Sequence, residues 1–95
     1  MSNQLQLIFN PEIRELIKNS KSKDWTIRCV VAENPNTPIE ILEELSKDEF
    51  WVIRKIVAKN PNTPDAILKT LGKDEEGLVR NTVLYNLTRA KKGLQ

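Results

Sequence analysis

Cys29 is the one residue in this 95-residue chain that could serve as a nucleophile of the thiol type, and it has no histidine to activate it. A chain with no histidine and a single cysteine cannot assemble a His/Cys zinc site, an internal disulfide, or a Ser-His or Cys-His couple. Cys29 shares its repeat position with the polar Lys55 and Asn81, so it reads as a partly exposed thiol, and with only Arg28 beside it to lower its pKa it does not read as a catalytic nucleophile. The carboxylates Glu40, Glu43, Glu44, Asp48 and Glu49 cluster in sequence, but their spacing fits a solvated helix face better than an acid/base pair. No catalytic, metal or cofactor site follows. The expectation is a non-enzyme.

Other side chains with recognition chemistry recur at a fixed interval. Ile27-Arg28, Ile53-Arg54 and Val79-Arg80 are spaced by 26 residues. Residues 28–38 read RCVVAENPNTP and residues 54–64 read RKIVAKNPNTP. Leu42 and Leu45 fall on Leu68 and Leu71, Trp25 on Trp51, and Lys47-Asp48 on Lys73-Asp74. Such a period is the signature of a repeat architecture.

Each unit predicts two short helices. Thr37 and Thr63 are expected as N-caps, with Pro38 and Pro64 in the first helical position and Glu40 completing a capping box in the first copy. Ile41, Leu42 and Leu45, matched by Ile67, Leu68 and Leu71, make one apolar stripe. Asp48 and Asp74 lead into the next helix. Its buried side should carry Ile27, Val30 and Val31, or Ile53, Ile56 and Val57. Asn34-Pro35 and Asn60-Pro61 stop that helix, because proline keeps the residue before it out of the helical region. Asn36 and Asn62 then occupy a tight connection.

Both ends depart from the pattern. Asn10-Pro11 starts a first helix with Ile13, Leu16 and Ile17 on its apolar face, while residues 4–9, with Leu5, Leu7 and Phe9, could either be extended or fold over the first repeat as a lid. Asn86 is followed by Leu87 where the earlier copies have proline, so the last helix should run from about residue 78 to about residue 92. It would cap the stack, with Arg89, Lys91 and Lys92 in its last turn. These residues predict an all-α fold: a short solenoid of about three repeats between capping ends. The segments are 1–21, 22–47, 48–73 and 74–95.

The run Ile-Arg-x-x-Val-Ala-x-Asn-Pro-Asn-Thr-Pro followed by Leu-x-x-Leu resembles the leucine-rich repeat variant family, over roughly residues 10–86 and most specifically over residues 22–73. Asp48 with Ile53-Arg54, and Asp74 with Val79-Arg80, also look like the Asp-x-x-x-x-Val-Arg signature of HEAT repeats; Ser22 takes the aspartate's place in the first copy. The resemblance implies a right-handed solenoid of HEAT-like form, built of helices with short 3₁₀ segments, and no shared enzymatic activity. Some relatives carry cysteines for an iron–sulfur centre, which one cysteine cannot supply.

Recognition then falls to the surface. Arg28, Arg54 and Arg80 read as a structural ladder with Asp48 and Asp74, or, if exposed, as a positive row. Trp25 and Trp51, replaced by Gly77 in the third copy, either anchor a partner or pack against each other or the preceding turn. Glu33 should face Lys59, and Glu43 should face Lys69, across the repeat junction. The expected binding face carries Trp25, Trp51, Lys55 and Lys59, with Arg28 and Arg54 at its edge, and the expected partner is another protein or peptide. Nucleic acid is the alternative, as basic clusters at Lys18, Lys21, Lys23 and at residues 80–92 could meet phosphates; a net charge of +2 and the acidic middle repeat argue against it. Self-association through uncovered ends is a further option. No apolar run approaches the roughly 18 residues of a membrane span, and a reducing, cytoplasmic setting is the default expectation.

Overall fold

The computed structural model describes residues 10–93, with side-chain surroundings through residue 89. The expected Leu5, Leu7 and Phe9 lid, and the side chains of Lys91 and Lys92, lie outside the described residues. Six helices and no strand occur among the described residues: α1 (Pro11–Ser20), α2 (Trp25–Glu33), α3 (Ile39–Leu45), α4 (Trp51–Lys59), α5 (Asp65–Leu71) and α6 (Gly77–Gly93). The second helices α2, α4 and α6 pack in a row, and α1, α3 and α5 pack against that row.

The core repeats with the sequence period. Leu16, Leu42 and Leu68 are buried at equivalent positions, as are Val31, Val57 and Val83. Leu16 thus places α1 in the same register as α3 and α5. Burying one such side chain contributes about 1.5–3 kcal/mol, against about 0–1 kcal/mol for an exposed pair such as Lys21–Glu44 at 3.5 Å. Apolar repetition, and not surface charge, holds the layers together.

The helix ends explain the prolines. Asn34 and Asn60 have extended backbones (φ −71°, ψ 122° and φ −67°, ψ 126°), as a following proline requires. A turn follows, closed by Thr37 N–H donating to the Asn34 carbonyl at 3.1 Å and by Thr63 N–H donating to the Asn60 carbonyl at 3.1 Å. The N-caps differ from expectation. Pro38 and Pro64 occupy the cap position with no side-chain bond, one place before the first helical residue. Thr37 and Thr63 point inward instead, and their hydroxyls donate to the carbonyls of Val31 and Val57 at 2.6 and 2.7 Å. Both threonines are buried, so their oxygens complete the end of the previous helix and not the start of the next.

A second polar ladder crosses between repeats. Asn60 Nδ2 donates to the carbonyls of Ala32 (2.8 Å) and Asn34 (3.0 Å). Asn86 Nδ2 does the same one repeat later, to Ala58 (2.8 Å) and Asn60 (3.3 Å). The sequence contained the signal for this. Asn86 persists where Leu87 has removed the helix stop and α6 continues unbroken, so the asparagine is kept for its side chain. Asn60→Ala leaves the inward-facing Ala32 carbonyl without a donor, while the Asn34 carbonyl keeps only the Thr37 N–H. It should destabilise the fold by about 1–3 kcal/mol, read as a lower urea midpoint with an unchanged slope.

Candidate functional site

Arg28, Arg54 and Arg80 hold the same backbone anchor. Each Nη1 donates to the carbonyl six residues earlier, on Ser22, Asp48 and Asp74, at 2.8, 2.7 and 2.6 Å. The first two also clamp the aspartate of the following repeat. Arg28 donates from Nε and Nη2 to Asp48 at 2.8 and 3.3 Å, and Arg54 does so to Asp74 at 2.7 and 3.1 Å. Each aspartate also accepts the N–H two residues on, from Phe50 or Glu76, at 2.9 Å, which turns the chain into α4 or α6. Arg28 and Arg54 are therefore mostly covered, while Arg80 is exposed.

Hydrogen bonding to Arg54 holds the Asp74 carboxyl below its ordinary value, with its backbone bond from Glu76 acting the same way against desolvation. The Arg28 and Arg54 guanidinium groups are pushed further up by Asp48 and Asp74. In Cys29, burial raises the thiol pKa more than Arg28 lowers it. Cys29 is half-buried against the core, which leaves it a poor nucleophile.

The tryptophans occupy helix starts. Trp25 does not meet Trp51; it packs edge-on to Phe50, with ring centroids 4.9 Å apart at 86°. Trp51 is half-buried against the core, and Trp25 is the more exposed of the two. Lys55 and Lys59 lie elsewhere, on the open face of the α2/α4/α6 row. That face holds two adjoining hollows of about 380 and 340 Å³. One is floored by Val52 and Ile56 and bounded by Glu33 and Arg89; the other is lined by Leu78, Thr82 and Tyr85; Lys55 and Lys59 border both. Arg89 lies over the Tyr85 ring at 5.7 Å and donates to the Lys59 carbonyl at 3.4 Å.

Three expectations about side-chain placement change here. Val30, expected inside, is 64% exposed because its position lies on this open face, where Ile56 is only half-buried. Ile27 is also exposed, since α2 is the outermost described member of its row. Among the described residues neither Glu33 with Lys59 nor Glu43 with Lys69 comes within ion-pair distance. Glu33 and Lys59 border the same hollow without bonding, and Glu43 and Lys69 lie on α3 and α5, which pack against the α2/α4/α6 row and not closely on each other. A further hollow of about 410 Å³ lies over the Arg28–Asp48 pair, whose two groups already satisfy each other. No group of His, Cys, Asp and Glu suited to a metal ion exists among the described residues.

The equal spacing of core, arginine and asparagine positions defines a helical repeat protein. Residues 25–50, one full period, match the family model described as leucine rich repeat variant, and this segment is a unit of that family. It spans α2, the Asn-Pro turn, α3 and the turn through Asp48. No curated protein matches the chain, and no solved structure does. No described helix is long and apolar enough to cross a membrane.

The Arg54–Asp74 pair makes stability depend on pH with a definite sign. Asp74 titrates lower in the folded than in the unfolded chain, so its stabilisation is complete above about pH 4 and is lost as pH falls through the folded value. Asp74→Asn should flatten the acid limb of stability measured by denaturation between about pH 2 and 5. Arg54→Ala strands a mostly covered carboxylate and should cost about 3–5 kcal/mol at neutral pH.

Proposed function

We propose that this chain is a non-catalytic helical repeat scaffold that binds another protein through the open face of α2, α4 and α6. The observation that carries this reading is the pair of adjoining hollows with an apolar floor and a basic rim. Lys55, Lys59 and Arg89 have no ion-pair partner among the described residues, and Val30, Leu78 and Tyr85 are exposed beside them. An extended peptide with alternating apolar and acidic side chains suits such a surface: apolar groups on the floor contribute affinity, and carboxylates at the rim set orientation and speed of encounter. We read the three copies, residues 22–47, 48–73 and 74–95, as a short right-handed solenoid of HEAT-like form, supported by the recurrence of the Arg, Asp and Asn positions. The described part of the segment before residue 22, the helix α1, then closes its amino-terminal end.

Trp25 and Trp51 lie to the side of this face, at the helix starts, so the lysines and Tyr85 carry the recognition in this reading. Phosphate binding is weaker on the same observations. Three cations interrupted by Glu33, over an apolar floor, offer little to a regularly charged backbone.

A synthetic peptide of alternating Glu and Leu, followed by amide resonances of the isotope-labelled protein, tests the reading. Saturable shifts at Lys55, Lys59 and Tyr85 are expected, with roughly tenfold weaker binding in Lys55→Glu/Lys59→Glu. Both substitutions are on partly or fully exposed positions and should change stability by no more than about 0.5 kcal/mol each. Equal binding by the double variant would sink the proposal. A single-stranded oligonucleotide that shifts the same resonances with a steep salt dependence would replace it.

A further inference from the structure

Beyond the open face, the flank of α6 repeats a surface whose occupant is visible in the earlier copies. Arg28 on α2 and Arg54 on α4 each present an Nε/Nη2 edge, and each edge is filled by an aspartate that stands just ahead of the next helix. Four residues further along, Ala32 and Ala58 are fully buried under that next repeat. Arg80 holds the same Nη1 anchor on the Asp74 carbonyl, but among the described residues its Nε and Nη2 bind nothing. The residue in the alanine position is Leu84, 63% exposed, and Leu87 beyond it is exposed too. Arg80, Leu84 and Leu87 stand at i, i+4 and i+7, one stripe along the helix. The Trp25 and Trp51 position is Gly77, which leaves space beside the Arg80 guanidinium: an added Cβ there would come 3.3 Å from Nη2.

We propose that this stripe is a docking site for a helical segment of a different protein that carries an aspartate or glutamate immediately before its first turn. The carboxylate would take the Nε/Nη2 edge of Arg80 as Asp48 and Asp74 take those of Arg28 and Arg54, and the helix behind it would cover Leu84 and Leu87. An anchored guanidinium is preorganised for a two-point bond, so little side-chain freedom is lost on binding. The other end of this same chain is a poor occupant. Ser22 stands where the carboxylate is needed, and Lys23 follows it where Glu49 and Glu75 follow the aspartates of the filled copies. The docked partner is thus acidic and distinct from a second copy. This inference does not rest on the open-face reading, since it uses a different side of α6.

The missing group can be installed to make a probe. In Ser22→Asp the new carboxylate can accept the Asp24 N–H, as Ser22 Oγ does at 3.1 Å and as Asp48 and Asp74 do for Phe50 and Glu76. Unlabelled Ser22→Asp/Arg80→Gln protein, which can offer only its carboxylate end, is titrated into isotope-labelled wild type. Shifts confined to the Arg80, Leu84 and Leu87 region are expected, at least roughly tenfold weaker when the labelled chain carries Arg80→Gln. A second probe avoids any dependence on the amino-terminal end: a stapled peptide of residues 47–59, which places Asp48 ahead of α4, compared with its Asp48→Asn form. The proposal is overturned if neither probe moves these resonances at about 1 mM, or if binding ignores Arg80→Gln or Asp48→Asn. It is also overturned if the wild-type chain associates with itself through Arg80 in light scattering.

Discussion

A backbone carbonyl that faces the interior must find a donor, and in this fold the supply of donors dictates the rest. The Asn-Pro steps end α2 and α4 abruptly, and every helix end leaves carbonyls that no later turn can satisfy. Thr37 and Thr63 complete part of that set from the connection itself. Asn60 and Asn86 complete another part from the following repeat. Once these bonds are made, the ends of α2 and α4 are each held one asparagine side chain from the following second helix. The apolar residues between them, Ile53, Val57, Val79 and Val83, then pack in one register only.

The Arg–Asp clamps act on the same junction from its other end. A mostly covered ion pair adds little net stability compared with apolar packing, because desolvation offsets much of the attraction, yet breaking it is costly. Its value here is geometric. Two-point bonds from Arg28 and Arg54 align the start of each following helix, while the asparagines align the finish of the preceding one. Fixed at both ends, neighbouring second helices present their outer residues as a continuous row, which is why Lys55, Lys59, Leu78 and Tyr85 share one surface despite coming from separate repeats.

Much of this was legible before any coordinates. The period, the helix pairs, the prolines as stops, the long last helix and the buried Leu42, Leu68, Ile53 and Val57 all follow from spacing and backbone chemistry. The misplacements have a common cause. Thr37 satisfies every local rule for an N-cap, and local rules say nothing about the carbonyl of Val31 waiting six residues back. Val30 and Ile27 fit an apolar stripe by period, but a period cannot reveal that one side of a row is open or that α2 is its outermost described helix. The expected Glu33–Lys59 neighbourship is correct in topology and fails in distance. Repeat alignment identifies which positions are adjacent, and side-chain reach and solvent decide whether they bond.

The asparagine ladder separates the unit that recurs from the unit that coheres. The segment of residues 25–50 contains one whole period, yet the amide that satisfies its Ala32 and Asn34 carbonyls belongs to Asn60, ten residues outside it. A copy cut at the boundaries of the match would take the debt and leave the donor behind. A tandem copy carries its own Asn34 to serve the repeat before it, but its Ala32 carbonyl is met only where the sequence that follows provides an asparagine in the corresponding place. The repeat is thus a unit of copying whose physical integrity is always held by its neighbour.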